Sequence, residues 1–316
     1  MLINSKKTIR KEFKRAEKLM GNNFEITVVA ENEKWAEEKI NLAIEEIRRI
    51  EKLLTTFHEE SQTNLVNQQA GVTPVKVDRE VFNLIQRAIK ISEITDGAFD
   101  ISYGSIDKRL WNFDRTMTSL PDPNTAKAMV RLINFRRIIL DQEHCTVMLQ
   151  EKGMRIGFGG IGKGYAAEMA KALLRKEGVE SGIVNASGDL AAWGQQANDE
   201  PWTIGIADPD HAHLPFSYLN VTDLAVATSG NYEKYVEING KKYSHTINPK
   251  TGLPVTGIKS VTIISPNAEI ADAMATPVTI MGIQAGLHLI NQIKHLACII
   301  IDDKNKIYTS KNIHLK

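Results

Sequence analysis

Gly157-Phe158-Gly159-Gly160-Ile161-Gly162-Lys163-Gly164-Tyr165 is the stretch on which the reading of this chain turns. A mostly apolar run, Met154 to Phe158, precedes it, and a helical pattern, Tyr165 to Lys176, follows. A strand, a glycine-rich turn and a helix start together suit an anion. Glycines let the backbone approach a phosphate, and N–H groups at the helix start point at it. Gly157-x-Gly159-x-x-Gly162 matches the dinucleotide-binding fingerprint, whose proper context is a series of βαβ units. The residues upstream, Met1 to Ile156, do not read as such a series. Gly157-x-x-x-x-Gly162-Lys163 matches a P-loop up to its last position. There Gly164 replaces the Ser or Thr hydroxyl that would hold magnesium. A structural turn that packs a helix closely on a strand is the plain alternative to every phosphate reading.

Outward from the loop, helical and strand patterns mix without strict alternation, which indicates an α+β fold. Upstream, residues 1–19 read as a charged leader forming a short helix, and Asn23 to Ala30 alternates like a strand. Trp35 to Leu54 repeats apolar residues at helical spacing. Gln62 to Pro74 is polar and turn-like. Asp78 caps a helix over Val81 to Thr95, Gly97 to Gly104 reads as a loop, and Pro121 to Leu132 as a helix. Strand signals then fall at Arg137–Leu140, Thr146–Gln150, Arg155–Phe158 and Gly182–Ala186. They continue at Trp202–Ile206, Leu219–Thr222, Ala225–Thr228, Glu233–Ile238 and Lys259–Ser265. Ala268–Gly282 and Ala285–Ile293 look helical, and Ala297–Ile301 with Ile307–Ser310 forms a closing hairpin.

The 316 residues carry a net charge of +1 with acids and bases interspersed, so no field of one sign points to nucleic acid or a charged membrane. The two cysteines, Cys145 and Cys298, lie in or beside apolar runs and read as buried thiols. No apolar run reaches membrane-spanning length. The basic N-terminus lacks the apolar core of a signal peptide, which reads as cytoplasmic. A chain cut after an export signal would look the same while being exported or membrane-associated.

Several constellations can carry chemistry. Asp272 and Thr276, in Ala268-Glu-Ile-Ala-Asp-Ala-Met-Ala-Thr-Pro277, are four apart and share a helix face. A carboxylate and a hydroxyl are hard oxygen ligands suited to magnesium or calcium. Pro277 frees the Ala273 carbonyl as one more ligand and pushes Thr276 away from helical geometry. The plain alternative is a kinked helix with a solvated Asp. His245 precedes a tightly turned loop, Asn248-Pro-Lys-Thr251-Gly-Leu-Pro, and is an acid–base candidate. His211 and His213 read as surface residues. Asn185-Ala-Ser-Gly188-Asp189 and Ala227-Thr228-Ser229-Gly230-Asn231-Tyr232-Glu233 read first as turns, with Asp189 a structural cap or a ligand contact.

Together these pieces resemble the ApbE-type FAD:protein FMN transferases, a family of magnesium-dependent flavin-transfer enzymes. Met20-Gly21, Gly97-Ala98-Phe99-Asp100-Ile101, Leu110-Trp111-x-Phe113 and Gly159-Gly160-Ile161-x-Lys163-Gly164-Tyr165-Ala166 match its motifs in order. So do Gly188-Asp189, Trp202-x-x-Gly205-Ile206-x-Asp208-Pro209, Ala227-Thr228-Ser229-Gly230, His245-x-Ile247-x-Pro249-x-Thr251-Gly252 and Ala271-Asp272-Ala273-x-Ala275-Thr276. The resemblance covers residues 20–316 as a single domain after the leader. It implies a compact two-lobed α+β unit with mixed sheets, flanking helices and FAD in a cleft between lobes.

By the resemblance, the phosphate of the glycine loop is the FAD pyrophosphate. The Gly160 carbonyl, Asp272 and Thr276 hold Mg2+. Met20, Phe57, Ala98, Phe99, Asp100, Gly159, Lys163 and His245 fall where the family contacts FAD. His245, Lys163 and Asp272 carry catalysis, and the partner is a target protein with an acceptor Ser/Thr motif. A hydrolase splitting FAD to FMN and AMP, or a flavin-binding protein with a weakened site, are the rival expectations. Four positions depart from the family pattern. Gly157 replaces a usual Asp, Phe57 a common Tyr, Asn248 a frequent Asp, and Pro277 a small residue. The lost carboxylate at Gly157 bears most on metal and flavin binding.

Overall fold

The computed structural model describes residues 9–107, 119–207, 215–230, 235–238 and 241–313. Strands β1 (Lys11–Leu19) and β2 (Asn22–Ala30) form a hairpin, followed by α1 (Glu33–Leu54), α2 (Gln62–Gln68), the short β3 (Val75–Lys76) and α3 (Arg79–Ile94). A 3-10 turn at Ile101–Ser105 leads to α4 (Pro123–Met129), β4 (Ile138–Asp141) and β5 (Thr146–Leu149). Then come α5 (Gly162–Lys176), β6 (Gly182–Ala186), β7 (Asp189–Trp193), β8 (Trp202–Ala207), β9 (Pro215–Val221) and β10 (Ala225–Gly230). The chain closes with β11 (Tyr235–Ile238), β12 (Lys241–Ser244), β13 (Ile258–Ser265), α6 (Ala268–Met281), α7 (Ile283–Ile290), β14 (Ala297–Asp302) and β15 (Ile307–Thr309).

Eight strands make the main sheet, in the order β1-β2-β6-β7-β10-β13-β14-β15, and every neighbouring pair in it is antiparallel. Side chains alternate across its two faces. Phe24, Ile26 and Val28 of β2, Ala191 and Trp193 of β7, Val261 and Ile263 of β13 and Ile300 of β14 join α1, α5 and α6 in the main core. Val29, Leu190, Ala192, Val226, Ile264 and Ile299 point the other way and pack on Trp202, Ile204 and Ile206 of β8. The all-antiparallel ladder and segregated helices confirm an α+β architecture and exclude the βαβ context that a dinucleotide-binding fold requires.

Three expectations are corrected. Lys11–Leu19 is an edge strand of the main sheet, paired along its whole length with β2, and not a helical leader. The polar stretch after Ser61 forms α2, capped by the Ser61 hydroxyl, which accepts the Asn64 N–H. Arg155–Phe158 joins no ladder. Ile156 exchanges both backbone hydrogen bonds with the Asn67 side-chain amide, and the Gly157 N–H goes to the Ile101 carbonyl. A side chain therefore occupies the place of a neighbouring strand. The hairpin of β14 and β15 and the two buried free cysteines agree with the sequence reading. No helix among the described residues is long and apolar enough to cross a membrane.

Candidate active site

The glycine loop enters α5 without a side-chain cap of its own. Asp272 supplies one from α6: its Oδ2 accepts the Gly164 N–H at 2.9 Å, and the Lys163 N–H also points at it. The helix start therefore holds a carboxylate of this chain rather than leaving all its N–H groups to a phosphate. This contact needs Gly164. A Cβ there would lie 2.2 Å from the Ala268 carbonyl oxygen and 2.6 Å from the Asp272 Cβ. The position where a P-loop carries Ser or Thr is thus packed directly against α6, and the P-loop reading falls.

Helix α6 is set by its own N-cap, where Asn267 Oδ1 accepts the Ile270 N–H at 3.0 Å, and by Glu168 of α5, which accepts the Ala268 N–H at 2.8 Å. Pro277 does not break it. The helix runs continuously from Ala268 to Met281, so Thr276 keeps helical geometry one turn beyond Asp272. That corrects the expectation of a displaced Thr276.

Two carboxylates share one lysine here. Asp189, first residue of β7, is in phase with Ala191 and Trp193 and so faces α5. Its Oδ2 lies 2.5 Å from Lys163 Nζ, and its Oδ1 accepts the Thr228 N–H at 3.3 Å. Asp189 and Asp272 are 4% and 7% exposed. Burial raises both carboxyls. That of Asp272 is pushed up to about 8, by burial first and by the charge of Asp189 second, against the pull of Lys163 and the two N–H donors. One ammonium does not neutralise two buried carboxylates, and a divalent cation would supply the missing charge.

The donor set fits such an ion. Asp272 gives a carboxylate, half-buried Thr276 a hydroxyl with no hydrogen bond among the described residues, and half-buried Gly160 a backbone carbonyl just before the helix. These are hard oxygen donors, few enough that water or substrate phosphate oxygens complete the shell, as magnesium prefers. Among the described residues, no group of three His, Cys, Asp or Glu side chains could hold a metal instead.

Apolar side chains ring the loop. A Cβ at Gly160 would sit 3.5 Å from the Phe99 ring, and one at Gly162 would sit 3.6 Å from the Met20 Cε. At Gly157 the nearest atom to a Cβ would be the Thr56 methyl, 3.8 Å away, so a Cβ there meets only ordinary van der Waals contact. Phe57, next to Thr56, is 98% exposed and presents its whole ring to solvent. Ala98 is buried beside Phe99. Asp100 is turned away from solvent: its carboxylate accepts from the Ser102 N–H, the Ser102 hydroxyl and the Phe135 N–H. That carboxylate locks the turn carrying Phe99.

His245 lies exposed at the end of β12. Its loop is tied by Lys250 Nζ to Asp96 Oδ2 at 2.5 Å, and the Lys250 side chain reaches Gly97. The His245 loop is thereby moored to the segment whose Phe99 ring touches the glycine loop. Asn248 replaces the family's Asp without loss to this loop, because its Oδ1 accepts the Lys250 N–H at 2.9 Å. Leu110–Phe113, Asp208-Pro209, His211, His213 and Asn231–Glu233 lie outside the described residues. Asp189 and Thr228, read first as turn residues, are what the sequence reading left out of the site. The available signal was Gly188-Asp189 opening the apolar run Leu190-Ala-Ala-Trp193.

A sequence model described as the ApbE family matches residues 20–300. The FAD:protein FMN transferase of Klebsiella pneumoniae (strain 342) is 33% identical over 300 residues, covering 94% of this chain and 92% of that protein. The FAD:protein FMN transferase of Treponema pallidum (strain Nichols) is 30% identical over 323 residues, covering 96% of this chain and 88% of that protein. The crystal structure of the ApbE protein from Thermotoga maritima superposes with a TM-score of 0.85 at 28% identity, over 95% of this chain and 97% of that one. The apo flavinyl transferase ApbE of Pseudomonas stutzeri shares the fold, with a TM-score of 0.83 at 23% identity over 96% and 95% of the two chains. The motifs, the antiparallel architecture and these matches agree: the chain belongs to the ApbE family.

Proposed function

We propose that this chain transfers FMN from FAD to a Ser or Thr hydroxyl of a target protein, releasing AMP and using Mg2+. The observation that carries the reading is the helix-start cluster: two buried carboxylates with one lysine, in a chain of this family. The acceptor oxygen attacks the phosphorus on the FMN side of the FAD pyrophosphate. A new phosphoester bond forms, the bond to the bridging oxygen breaks, and its electron pair leaves with AMP. Magnesium supplies neutralisation of phosphate charge when bound.

The chain's own groups do the rest. Asp272 and Thr276 present oxygen donors from one face of α6. Lys163 sits at the start of α5, where its ammonium can stabilise negative charge passing to AMP. His245, exposed at the end of β12, takes the hydroxyl proton. Phe57 and Met20 offer apolar surface to the flavin or adenine ring, and the Phe99 ring backs the glycine loop.

AMP release from FAD with magnesium, measured with and without an acceptor peptide carrying the family's Ser/Thr motif, tests this. Release that requires the peptide, with flavin fluorescence on the peptide after denaturation, is expected. Release indifferent to the peptide would make the chain an FAD pyrophosphatase. Bound FAD without release would make it a flavin-binding protein.

A further inference from the structure

Helix α3 ties down both helices that carry Lys163 and Asp272. Glu80 and Arg87 are seven residues apart on α3, two turns along one face. Glu80 Oε1 accepts the Tyr165 hydroxyl at 2.6 Å, and Tyr165 follows Gly164 directly on α5. Arg87 Nε and Nη2 donate to Glu269 Oε1 and Oε2 at 2.6 and 2.9 Å, and Glu269 stands one turn before Asp272 on α6. The Arg87 guanidinium also lies 5.7 Å from the Tyr165 ring centre. Arg49 of α1 anchors the far end, bonding Glu80 at 2.7 and 2.9 Å.

These ties border a cleft of about 340 Å3, lined by Glu80, Asn83, Arg87, Tyr165, Met169 and Glu269 among others. Along this cleft α3 is held to α6 by a fork-shaped, charge-assisted pair that fixes angle as well as distance, and to α5 by a single hydroxyl–carboxylate bond. The hydrogen bond from Gly164 N–H to Asp272 depends on how α5 and α6 sit against each other. A slide of either helix would carry the Asp272 carboxylate off the helix start and misalign it with Thr276.

We propose that Glu80 and Arg87, with Tyr165 and Glu269, are positioning residues that clamp α5 and α6 so that Asp272 is preset for the metal. The clamp rests on the metal reading given under Proposed function. It acts through ligand orientation, as groups behind a metal's direct ligands do, and their loss costs about 10–100-fold in metal affinity.

The test is Mn2+ binding to the full chain, followed by loss of the free aquo-ion EPR signal, with thermal unfolding of the metal-free protein measured alongside. The double variant Arg87→Gln/Glu269→Gln removes both charges together, so neither is left buried and unpaired. Tyr165→Phe removes one hydroxyl only and serves if the double variant folds poorly. Arg48→Ala, on an exposed pair with Glu17, is the control. Expected is a Mn2+ Kd raised about tenfold in the double variant and several-fold in Tyr165→Phe. The control should not change it, and Arg87→Lys should recover part of the affinity lost on removing the guanidinium. Unchanged Mn2+ affinity in both clamp variants, whatever their unfolding midpoint, overturns the clamp. Absence of Mn2+ binding by the unsubstituted chain overturns the metal reading itself and the clamp with it.

Discussion

Lys163 and Tyr165 are two residues apart on α5, about 200° around the helix, so they face nearly opposite ways. Each meets a cluster of charge, and the two clusters are balanced differently. On the Tyr165 side each glutamate is bonded by a guanidinium: Glu80 by Arg49, which also holds Glu46, and Glu269 by Arg87. Arg49, then Tyr165, hold the Glu80 carboxyl below its usual range despite partial burial. On the Lys163 side two buried carboxylates share one ammonium, and burial pushes both upward. The first cluster is satisfied and holds structure. The second is short of positive charge, and Asp272, one of its members, lies one helical turn before Thr276. Two buried carboxylates that share one ammonium form the kind of perturbed cluster that points to a functional site.

Breaking the unbalanced cluster gives the largest expected effect. Asp272→Asn keeps an oxygen for the Gly164 N–H but removes the negative charge. Metal-dependent AMP release should fall about 100-fold or more, since a lost metal contact forfeits several kcal/mol of transition-state stabilisation. Release within a few-fold of the unsubstituted chain would show that the ion is held elsewhere. A smaller effect is expected from Gly164→Ala. Its methyl would overlap the Ala268 carbonyl and the Asp272 Cβ. The helices must part, at about 1–3 kcal/mol of stability, read as a lower thermal unfolding midpoint. An unchanged midpoint would mean that the contact is looser than described.

Much of this was legible in the sequence because patterning and turn chemistry agreed with the fold. The helical spacing of Trp35–Leu54, the helix from Ala268 and the closing hairpin each stand in the structure as read. Lys11–Leu19 was not legible, because an edge strand covered in Lys, Arg and Glu carries no apolar alternation; its charges suit an exposed edge. β7 escaped because both its faces are buried, so Leu190-Ala-Ala-Trp193 does not alternate. That cost the reading Asp189, whose role depends on the phase of that strand. The glycine loop and Asp272 were each singled out in the sequence, but the contact between them spans over 100 residues. Local pattern cannot supply such a contact.

The most direct measurement is the number of protons released when Mg2+ binds, taken by calorimetry in buffers of different ionisation enthalpy from pH 6 to 9. The Asp272 carboxyl stands at about 8 in the folded chain, above its unfolded range. Below about 8 it is protonated, and the metal-free fold loses this group's contribution to stability as pH rises through that value. Mg2+ needs the deprotonated form, so its affinity should rise with pH, up to tenfold per unit, and level off above about 8. About one proton should be released per ion at pH 7, declining toward none by pH 9. Binding without proton release at pH 7, and with no dependence on pH, would contradict a buried, charge-starved Asp272 as the metal's carboxylate.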